Sequence, residues 1–399
     1  MGDGMGRLVA LAGALVGAFA LTACSADASG APGDQGDSGP GTEPDGAPLP
    51  GTDGGGGGGD GGGGGDGGGG QDATVDSAPP EPPGVRFVGR VDTSDGKGTR
   101  FEWPGVSLHA RFTGASVDID LQDSNASELA VFIDGTEHPK LVAKNGRQTY
   151  PLATGLAAGT HELLLWRRSE ANIGLSEFFG LTFAPGGELL APPPPLARRI
   201  ELVGDSISCG YGNEGQPGCN FSADTENNYL AYGSVAARAV NAEISTVAWS
   251  GLGMYRNYGD VGASAKPLPY YYDDALPGVP TAWDFTKFVP DVVVINLGTN
   301  DSSTHGDPGQ PFIDAYVAFV HHLRSKYPAA WIICLEATSA VTNDIKQVVS
   351  TLTTAGDKKI EAFALTGQNG QGCDGHPNVA SDALMGASLA TELKRVMGW

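Results

Sequence analysis

The 399-residue sequence is short of basic residues, of cysteines and of long apolar segments. It has 24 Lys and Arg against 46 Asp and Glu, and no basic cluster that could follow a nucleic-acid backbone. Only five cysteines occur, and none stands near histidines at a spacing typical of zinc sites. These shortages argue against nucleic-acid binding, and we expect neither a metal nor an organic cofactor.

One apolar run, from Leu8 to Leu21, is too short to cross a bilayer comfortably. Arg7 precedes this run and Leu21-Thr22-Ala23-Cys24 follows it, which is the order of a signal peptide: a charged start, an apolar core and small residues at the end. Because of Cys24, residues 1–24 resemble a bacterial lipobox, in which the cysteine is lipidated and starts the mature chain. We therefore expect an exported protein anchored through Cys24 at the outer membrane or cell surface. A plain secretory signal with a chance cysteine is the alternative.

Residues 25–83 contain no Lys or Arg and eleven acidic residues, which account for half of the formal net charge of −22. Gly, Pro, Asp and Ser dominate this segment, with pure glycine runs at 54–59, 61–65 and 67–70. Such a composition buries too little apolar area to offset the entropy of ordering the chain. We expect a disordered tether with an r.m.s. span of roughly 40–45 Å.

Apolar and polar residues alternate in short segments over residues 84–190, with Gly, Asp and Asn between the segments. A period of two with frequent turns predicts an all-β sandwich. A proline-rich stretch at 191–195 marks its end. The predicted strands are Val85–Val91, Val106–Phe112, Ser116–Leu121, Leu129–Ile133, His161–Arg167 and Phe178–Thr182.

Residues 198–399 show short apolar runs that alternate with helical patterns, which predicts a parallel sheet with helices on both faces. Functional residues of such sheets gather at the carboxyl ends of the strands. The predicted strands are Ile200–Val203, Ile244–Trp249, Val292–Leu297, Trp331–Leu335 and Ile360–Leu365. The predicted helices are Tyr229–Val240, Phe312–Lys326, Asn343–Thr353 and Val379–Val396.

Four groups suited to acyl transfer follow these strands or precede the last helix: Ser206, Gly251, Asn300 and His376. A serine hydroxyl becomes a good nucleophile when an imidazole takes its proton. The tetrahedral intermediate then needs N–H donors for its negative oxygen. We predict Ser206 as the nucleophile and His376 as the base and later the acid. The backbone N–H groups of Ser206 and Gly251 and the side-chain amide of Asn300 would face the oxyanion.

Two alternatives stay open within this prediction. Gly253 could donate its N–H in place of Gly251, and His305 follows the Asn300 loop and competes with His376. His376 is preferred because His376-Pro377 directly precedes the terminal helix.

The sequence resembles the SGNH, or GDS(L), hydrolase superfamily in four features. These are Gly204-Asp205-Ser206, the glycine after the second strand, Gly298-Thr299-Asn300-Asp301 and the late histidine. Over residues 84–399 the chain further resembles carbohydrate esterase family 2. The additional matches lie in Phe101–Gly105, Val131–Gly135, Arg167–Glu170, Arg198–Glu201, Gly210–Asn213, Met254–Asn257 and His376–Asn378. The resemblance implies a jelly-roll β-domain joined to a flavodoxin-like SGNH domain that deacetylates xylan, glucomannan and related polysaccharides.

The sequence departs from the superfamily at the position three residues before His376, where the superfamily usually has Asp and this chain has Cys373. Asp374 stands two residues before the histidine. Either Asp374 completes a triad, or a backbone carbonyl orients the imidazole of a Ser–His dyad, as the resemblance to some family 2 members implies. An orienting group is needed in both cases to hold the imidazole tautomer.

An aromatic-rich region lies between the second and third strands of the predicted sheet and includes Tyr255, Tyr258, Tyr270–Tyr272 and Trp283. Aromatic faces can stack on sugar rings, but they also simply pack loops. We predict substrate contacts for Tyr255 and Trp283.

The remaining cysteines, Cys209, Cys219, Cys334 and Cys373, allow three disulfide pairings, and export favours their oxidation. Cys209 and Cys219 lie in one loop-like stretch, so we predict the pairs 209–219 and 334–373.

The sequence therefore predicts a serine esterase that removes O-acetyl groups from a polysaccharide, with a tethered monomer as the simplest state. A broad lipolytic esterase of the same superfamily is one alternative. A surface lipoprotein that binds glycan without cleaving esters is the other.

Overall fold

The computed structural model of the protein describes residues 84–399. The predicted signal peptide, Cys24 and the tether at 25–83 lie outside the described residues. Within residues 84–399, no helix combines the length and the apolar character needed to cross a membrane.

The first part of the described chain is a β-domain of two antiparallel sheets. One sheet has the order β1-β3-β8-β5-β6, with β10 on β3, and the other has the order β2-β9-β4-β7. Its strands are β1 (Val85–Val88), β2 (Thr99–Phe101), β3 (Ser107–Thr113), β4 (Ser116–Asp123), β5 (Glu128–Ile133), β6 (Thr136–Val142), β7 (Gly146–Thr154), β8 (Thr160–Arg167), β9 (Ser176–Phe183) and β10 (Leu189–Leu190).

Alternation along the strands builds the core of this β-domain. In β4, Val117, Ile119 and Leu121 are buried, and most of the residues between them are partly or fully exposed. They join residues of the other sheet, such as Leu108 and Leu163, in one apolar cluster. The predicted sandwich is therefore confirmed.

The second part contains a five-stranded parallel sheet of order β12-β11-β15-β16-β17, and we call it the hydrolase domain after the superfamily that its sequence resembles. Its strands are β11 (Arg198–Gly204), β12 (Ala242–Ala248), β15 (Val292–Asn296), β16 (Trp331–Leu335) and β17 (Ile360–Phe363), and β13 (Asp274–Leu276) and β14 (Val279–Ala282) form a separate hairpin. The helices are α1 (Ser206–Cys209), α2 (Tyr232–Ala239), α3 (Leu268–Tyr271), α4 (Thr299–Ser303), α5 (Gln310–Lys326), α6 (Thr342–Thr354) and α7 (Val379–Met397). Short 3₁₀ helices occupy Ala171–Ile173, Ala223–Thr225, Asn228–Leu230 and Cys373–Gly375.

Helices cover both faces of this sheet, as the buried runs of its strands require. Helices α2 and α7 pack on the face that carries Ile200, Leu202 and Ile244. Helices α5 and α6 pack on the opposite face, which carries Val203 and Val293. Numbered within the sheet, the strand order is 2-1-3-4-5, so the predicted flavodoxin-like fold is confirmed.

The β-domain and the hydrolase domain meet through buried polar contacts. Arg90 lies 3.3 Å from Glu201 of β11, and both side chains are fully buried. Asn228 accepts a hydrogen bond from the Trp166 indole at 3.1 Å and donates one to the Ser208 carbonyl at 3.0 Å. These contacts tie β8 to the helix that begins at Ser206.

Four strands of the β-domain were not predicted. Strands β6 and β7 are mostly exposed and polar, so they lack an apolar alternation. Strands β2 and β10 have three and two residues, too few for a period to show.

The predicted disulfide pairing is wrong. A disulfide joins Cys219 to Cys373, while Cys209 and Cys334 are buried free thiols. Cys209 lies in α1 and Cys334 inside β16, and both positions are fully buried. Cys219 instead lies in a loop beside the segment before α7, where the Asp374 N–H donates to the Cys219 carbonyl at 3.0 Å. Nearness in the sequence was therefore a poor guide to the partner.

Candidate active site

The serine stands where β11 ends and α1 begins. The side chain of Asp205 caps α1 by accepting a hydrogen bond from the Ile207 N–H at 3.1 Å. A Cβ at Gly204 would lie 2.0 Å from the Ser208 hydroxyl, so only glycine fits before this sharp change of direction. Ser206 itself is 6% exposed. Its hydroxyl therefore lies at the carboxyl edge of the sheet with little contact with solvent.

His376 lies in contact with this serine. Its Nε2 atom is 2.8 Å from the Ser206 Oγ atom, and its Nδ1 atom is 3.3 Å from the Cys373 carbonyl. Burial lowers the pKa of His376, and the Cys373 carbonyl opposes this shift. A neutral imidazole that donates from Nδ1 to the carbonyl leaves Nε2 free to accept the serine proton.

The structure does not bring the Asp374 carboxylate to the imidazole, which contradicts its predicted role as the orienting group. Asp374 is exposed, and its Oδ2 atom accepts hydrogen bonds from the Tyr211 hydroxyl at 2.9 Å and from the Phe221 N–H at 2.8 Å. Its backbone has a left-handed φ of 51°, which turns the side chain into this loop. The backbone carbonyl, the other alternative from the sequence, is the group that contacts Nδ1.

The Tyr211 ring packs on the imidazole, and the sequence reasoning missed it. The two ring centroids are 4.1 Å apart, and the Phe221 ring stacks on the far side of Tyr211 at 4.2 Å. The only signal was the position of Tyr211 in a glycine-rich block soon after the serine.

Residues 249–252, which we call the oxyanion turn, follow β12. The Leu252 N–H donates to the Trp249 carbonyl at 3.3 Å, and Gly251 has a φ of +80°. The Asn300 side-chain amide donates to the Leu252 carbonyl at 2.8 Å, which leaves its second N–H uncommitted. Among the described residues, the N–H groups of Ser206 and Gly251 have no hydrogen-bond acceptor. Three N–H donors, in segments that follow neighbouring strands of the sheet, thus have no protein acceptor among the described residues.

Gly253 and His305, the two alternatives from the sequence, are less suited to donate to the oxyanion and to act as the base. The Gly253 N–H already donates to the Asn257 side chain at 3.1 Å. His305 is exposed in the loop after α4, and no ring contact with Ser206 involves it within the described residues.

Asp301 holds the loop that follows the oxyanion turn. Its carboxylate accepts hydrogen bonds from the N–H groups of Met254, Tyr255 and Arg256 at 2.8–2.9 Å. Burial raises the pKa of Asp301, and these N–H donors oppose the rise. Burial also raises the pKa of Asp205 to about 7. Both aspartates thus accept hydrogen bonds from backbone N–H groups near the serine.

The aromatic residues divide into a buried group and an exposed group. Trp283 is 6% exposed and packs with Val88, Ala275 and Phe288, so its predicted sugar contact is wrong. Tyr255 is partly buried, and its contact with substrate stays a prediction.

An aromatic patch starts in the oxyanion turn with Trp249, which the sequence analysis did not name, and continues with Tyr270 and Tyr271 of the aromatic-rich region. Trp249 lies 5.1 Å from Tyr271 between ring centroids, and Tyr270, which is 56% exposed, lies 5.0 Å from Tyr271. The sequence pattern places Trp249 at the end of a predicted strand, and its position two residues before Gly251 is a signal that could have identified it.

One buried cluster within residues 84–399 has the atom types that bind metals. Ligand atoms of Glu170, Cys209 and Glu226 lie within 4.8 Å of one another. Burial raises the pKa of the Cys209 thiol well above its ordinary value, and a protonated thiol is a poor ligand. The expectation that no metal or cofactor takes part stays a prediction.

Comparison with known proteins gives two matches to family models that divide the chain as the fold does. Residues 87–193 match the carbohydrate esterase 2 N-terminal model, and residues 202–370 match the GDSL-like lipase/acylhydrolase family.

Among curated relatives, cellulase/esterase CelE of Acetivibrio thermocellus is 37% identical over 328 residues, which cover 79% of this chain but 40% of CelE. The chain thus spans about two fifths of the length of that relative. An acetylxylan esterase/glucomannan deacetylase of Cellvibrio japonicus is 28% identical, with coverage of 79% of this chain and 90% of that protein.

Among solved structures, a family two carbohydrate esterase from Clostridium thermocellum in complex with cellohexaose is 36% identical with a TM-score of 0.76. The match covers 79% of this chain and 100% of that chain. A family two carbohydrate esterase from Cellvibrio japonicus is 27% identical with a TM-score of 0.72, over 80% of this chain and 96% of that chain. The β-sandwich, the flavodoxin-like sheet and these matches over both domains show that the chain belongs to carbohydrate esterase family 2.

Proposed function

We propose that this protein is a serine esterase that removes O-acetyl groups from acetylated polysaccharides of the xylan or glucomannan type. The observation that carries the proposal is the 2.8 Å contact between Ser206 Oγ and His376 Nε2 beside the uncommitted N–H groups of Ser206 and Gly251. A nucleophile, a neutral base and donors for an oxyanion at one strand edge are the parts that acyl transfer requires.

In the first half of the reaction, Ser206 Oγ attacks the acetyl carbonyl carbon while His376 Nε2 takes its proton. The carbonyl oxygen becomes negative, and the N–H groups of Ser206 and Gly251 and the second amide N–H of Asn300 stabilise it. His376 then protonates the sugar oxygen as its bond to the acetyl carbon breaks. The sugar hydroxyl leaves and acetyl-Ser206 remains.

In the second half, His376 takes a proton from a water molecule that attacks acetyl-Ser206. The same donors stabilise the second tetrahedral intermediate, and the proton returns to Ser206 Oγ as acetate leaves. The Cys373 carbonyl holds the Nδ1–H throughout, and the Asp374 carboxylate supports the charged imidazolium through space by raising the pKa of His376.

A polysaccharide substrate is supported by the names of the relatives and by the aromatic patch of Trp249, Tyr270 and Tyr271 beside the oxyanion turn. Tyr270 is exposed, Trp249 and Tyr271 are partly buried, and aromatic faces that solvent reaches can stack on sugar rings. We propose that the patch receives the residues of the glycan next to the acetylated sugar.

The N-terminal segment supports export and attachment. The sequence Leu21-Thr22-Ala23-Cys24 after an apolar run favours lipidation at Cys24, and residues 25–83 would then carry the enzyme away from the membrane. The test is mass spectrometry of the exported protein, in which a Cys24→Ser variant should lose the lipid and appear in the medium.

The decisive experiment measures acetate release from acetylated xylan and acetylated glucomannan. Ser206→Ala should abolish release, whereas Ser325→Ala, which removes an exposed hydroxyl on α5, should leave it unchanged. Equal turnover by the Ser206→Ala variant would refute the proposed nucleophile.

Two further outcomes would favour the alternatives. A preference for long-chain over acetyl 4-nitrophenyl esters would indicate a lipolytic esterase. Binding to glycan without cleavage of any ester would indicate a non-catalytic surface protein.

A further inference from the structure

A glutamate of the β-domain reaches the centre of the candidate active site. Glu170 follows β8 and is fully buried. Its Oε2 atom accepts a hydrogen bond from the Ser250 N–H at 2.7 Å and lies 3.7 Å from the Cys209 thiol. Ser250 directly precedes Gly251, and Cys209 lies in the short helix that begins at Ser206. One carboxyl group thus contacts both the oxyanion turn and the nucleophile's helix.

This contact exists despite an unfavourable environment for a carboxylate. The Oε1 atoms of Glu170 and Glu226 are both buried without a hydrogen-bond partner among the described residues. Glu226 in turn accepts a hydrogen bond from the Glu170 N–H at 2.9 Å. Burying carboxylates with unpaired acceptor atoms lowers the free energy of unfolding. Packing alone therefore does not explain why two glutamates stand here.

Among the described residues, hydrogen bonds to other segments hold the oxyanion turn at four points, and Glu170 provides one of them. The Tyr258 N–H donates to the Gly251 carbonyl at 2.8 Å, and the Asn300 amide holds the Leu252 carbonyl at 2.8 Å. Both of these restraints lie on the carboxyl side of the Gly251 N–H. On the amino side, the Trp249 N–H donates to the Gly204 carbonyl at 3.3 Å. The Glu170 carboxyl holds the next N–H, that of Ser250, and it comes from the other domain.

The identity of Gly251 makes this restraint matter. Glycine adopts a wide range of backbone angles, so the direction of its N–H depends on how firmly its neighbours are held. A donor displaced by about 1 Å from the developing oxyanion can cost on the order of 10²-fold in rate.

We propose that Glu170 is a positioning residue that fixes the Ser250–Gly251 peptide so that the Gly251 N–H points at the oxyanion. This inference rests on the proposed esterase function. It makes the β-domain a part of the catalytic apparatus, because the oxyanion hole is complete only when the two domains are docked.

The chain offers a matched control in Glu102. This glutamate also belongs to the β-domain, is 8% exposed and accepts a hydrogen bond from a backbone N–H of the hydrolase domain, that of Gly278, at 2.9 Å. Gly278 lies between β13 and β14, in a hairpin that contributes none of the groups proposed for the reaction. Glu102→Ala therefore removes the same kind of interdomain contact without touching the oxyanion turn.

The test compares Glu170→Ala, Glu170→Gln and Glu102→Ala by kcat and KM for 4-nitrophenyl acetate. Glu170→Ala should lower kcat by about 10²-fold with KM changed less than about threefold, since only a transition-state donor is displaced. Glu170→Gln should recover most of the loss because its carbonyl oxygen can accept the Ser250 N–H. Glu102→Ala should keep the wild-type kcat. Glu170→Met, which fills the same space without an oxygen acceptor, replaces Glu170→Ala if that variant does not fold.

A second readout does not depend on esterase activity. Hydrogen–deuterium exchange at the Ser250 amide should speed up in Glu170→Ala and stay slow in Glu102→Ala. Equal kcat values in Glu170→Ala and Glu102→Ala, or unchanged exchange at Ser250, would overturn the inference and leave the proposed function standing. If the wild-type protein hydrolyses no ester, the proposed function fails, and the exchange experiment alone decides whether Glu170 positions the turn.

Discussion

The two sides of the candidate active site are built in different ways. The serine side consists of Ser206, the oxyanion turn and Asn300, which all follow buried strands of the sheet. The histidine side consists of residues 364–378, an irregular segment whose residues are mostly partly or fully exposed. The first side is held by the sheet and by buried side chains, and the second by a disulfide, a carbonyl and a stacked tyrosine.

This difference separates the tasks of the two sides. Oxyanion donors must be rigid and correctly aimed before the reaction starts, which burial at strand ends provides. The base needs only a fixed tautomer and contact with the serine, which loop contacts can supply. Variants that weaken one side and spare the other test this division.

The largest expected effect comes from removing either member of the Ser–His pair. His376→Ala and Ser206→Ala should each lower kcat by about 10⁴–10⁶-fold, and the double variant should lose little more, because the two groups act as one unit. Steady-state kinetics with 4-nitrophenyl acetate measure this. Additive losses in the double variant would show that the two residues act separately.

Weakening the serine side alone should have the next largest effect. Asn300→Ala removes one oxyanion donor and the contact that holds the Leu252 carbonyl, so we expect kcat to fall about 10²–10³-fold. KM should change little because the donor acts in the transition state. A loss confined to KM would show that Asn300 binds substrate instead.

Weakening the histidine side should mainly affect stability. Replacing Cys219 and Cys373 together with Ser opens a cross-link between residues 154 positions apart, and we expect a loss of about 2–5 kcal/mol in the free energy of unfolding. Chemical denaturation with and without a reductant measures this loss. The wild-type protein in reductant should match the double variant, and a difference between them would point to an effect of the serines themselves.

The smallest effect should come from Asp374→Asn. Asparagine tolerates the left-handed backbone at this position and keeps an acceptor for the Tyr211 hydroxyl, so kcat at its plateau should fall less than about tenfold.

The pH profile gives a sharper measurement of the same variant. Protonation of His376 removes the base, and burial lowers the pKa of His376, so the acid limb of kcat/KM in the wild-type protein should lie below 6.5. The Asp374 charge raises that pKa, and its removal should move the limb further toward acid. A limb that moves toward alkaline pH would contradict this electrostatic effect of Asp374, and a large loss of kcat would restore Asp374 as the orienting group.

The fold could be predicted from the sequence wherever burial leaves a periodic signal. The central strand β15 of the hydrolase domain is a nearly continuous apolar run, and the core strands of the β-domain alternate. The polar strands β6 and β7 carry neither pattern. The serine, the glycine turn and the asparagine could be predicted because strand ends of a parallel sheet share one edge. The histidine was predicted from its place directly before the terminal helix.

The remaining features of the site depend on contacts between segments that are distant in the sequence. Three of them are the Cys219–Cys373 bond, the packing of Trp283 and the hydrogen bond of Glu170. Each is a contact between parts of the chain that no local sequence pattern connects. The choice between Asp374 and a backbone carbonyl also depends on a single left-handed residue, which side-chain spacing does not reveal.

The covalent link at the histidine side also makes this part of the site depend on the redox state of its surroundings. The bond between Cys219 and Cys373 forms only where the two thiols meet an oxidant. Molecules kept in a reducing compartment would hold their serine and oxyanion donors in a formed sheet while the base lacked its tether. Oxidation should therefore act on one side of the site alone, by making the segment that carries the base harder to unfold.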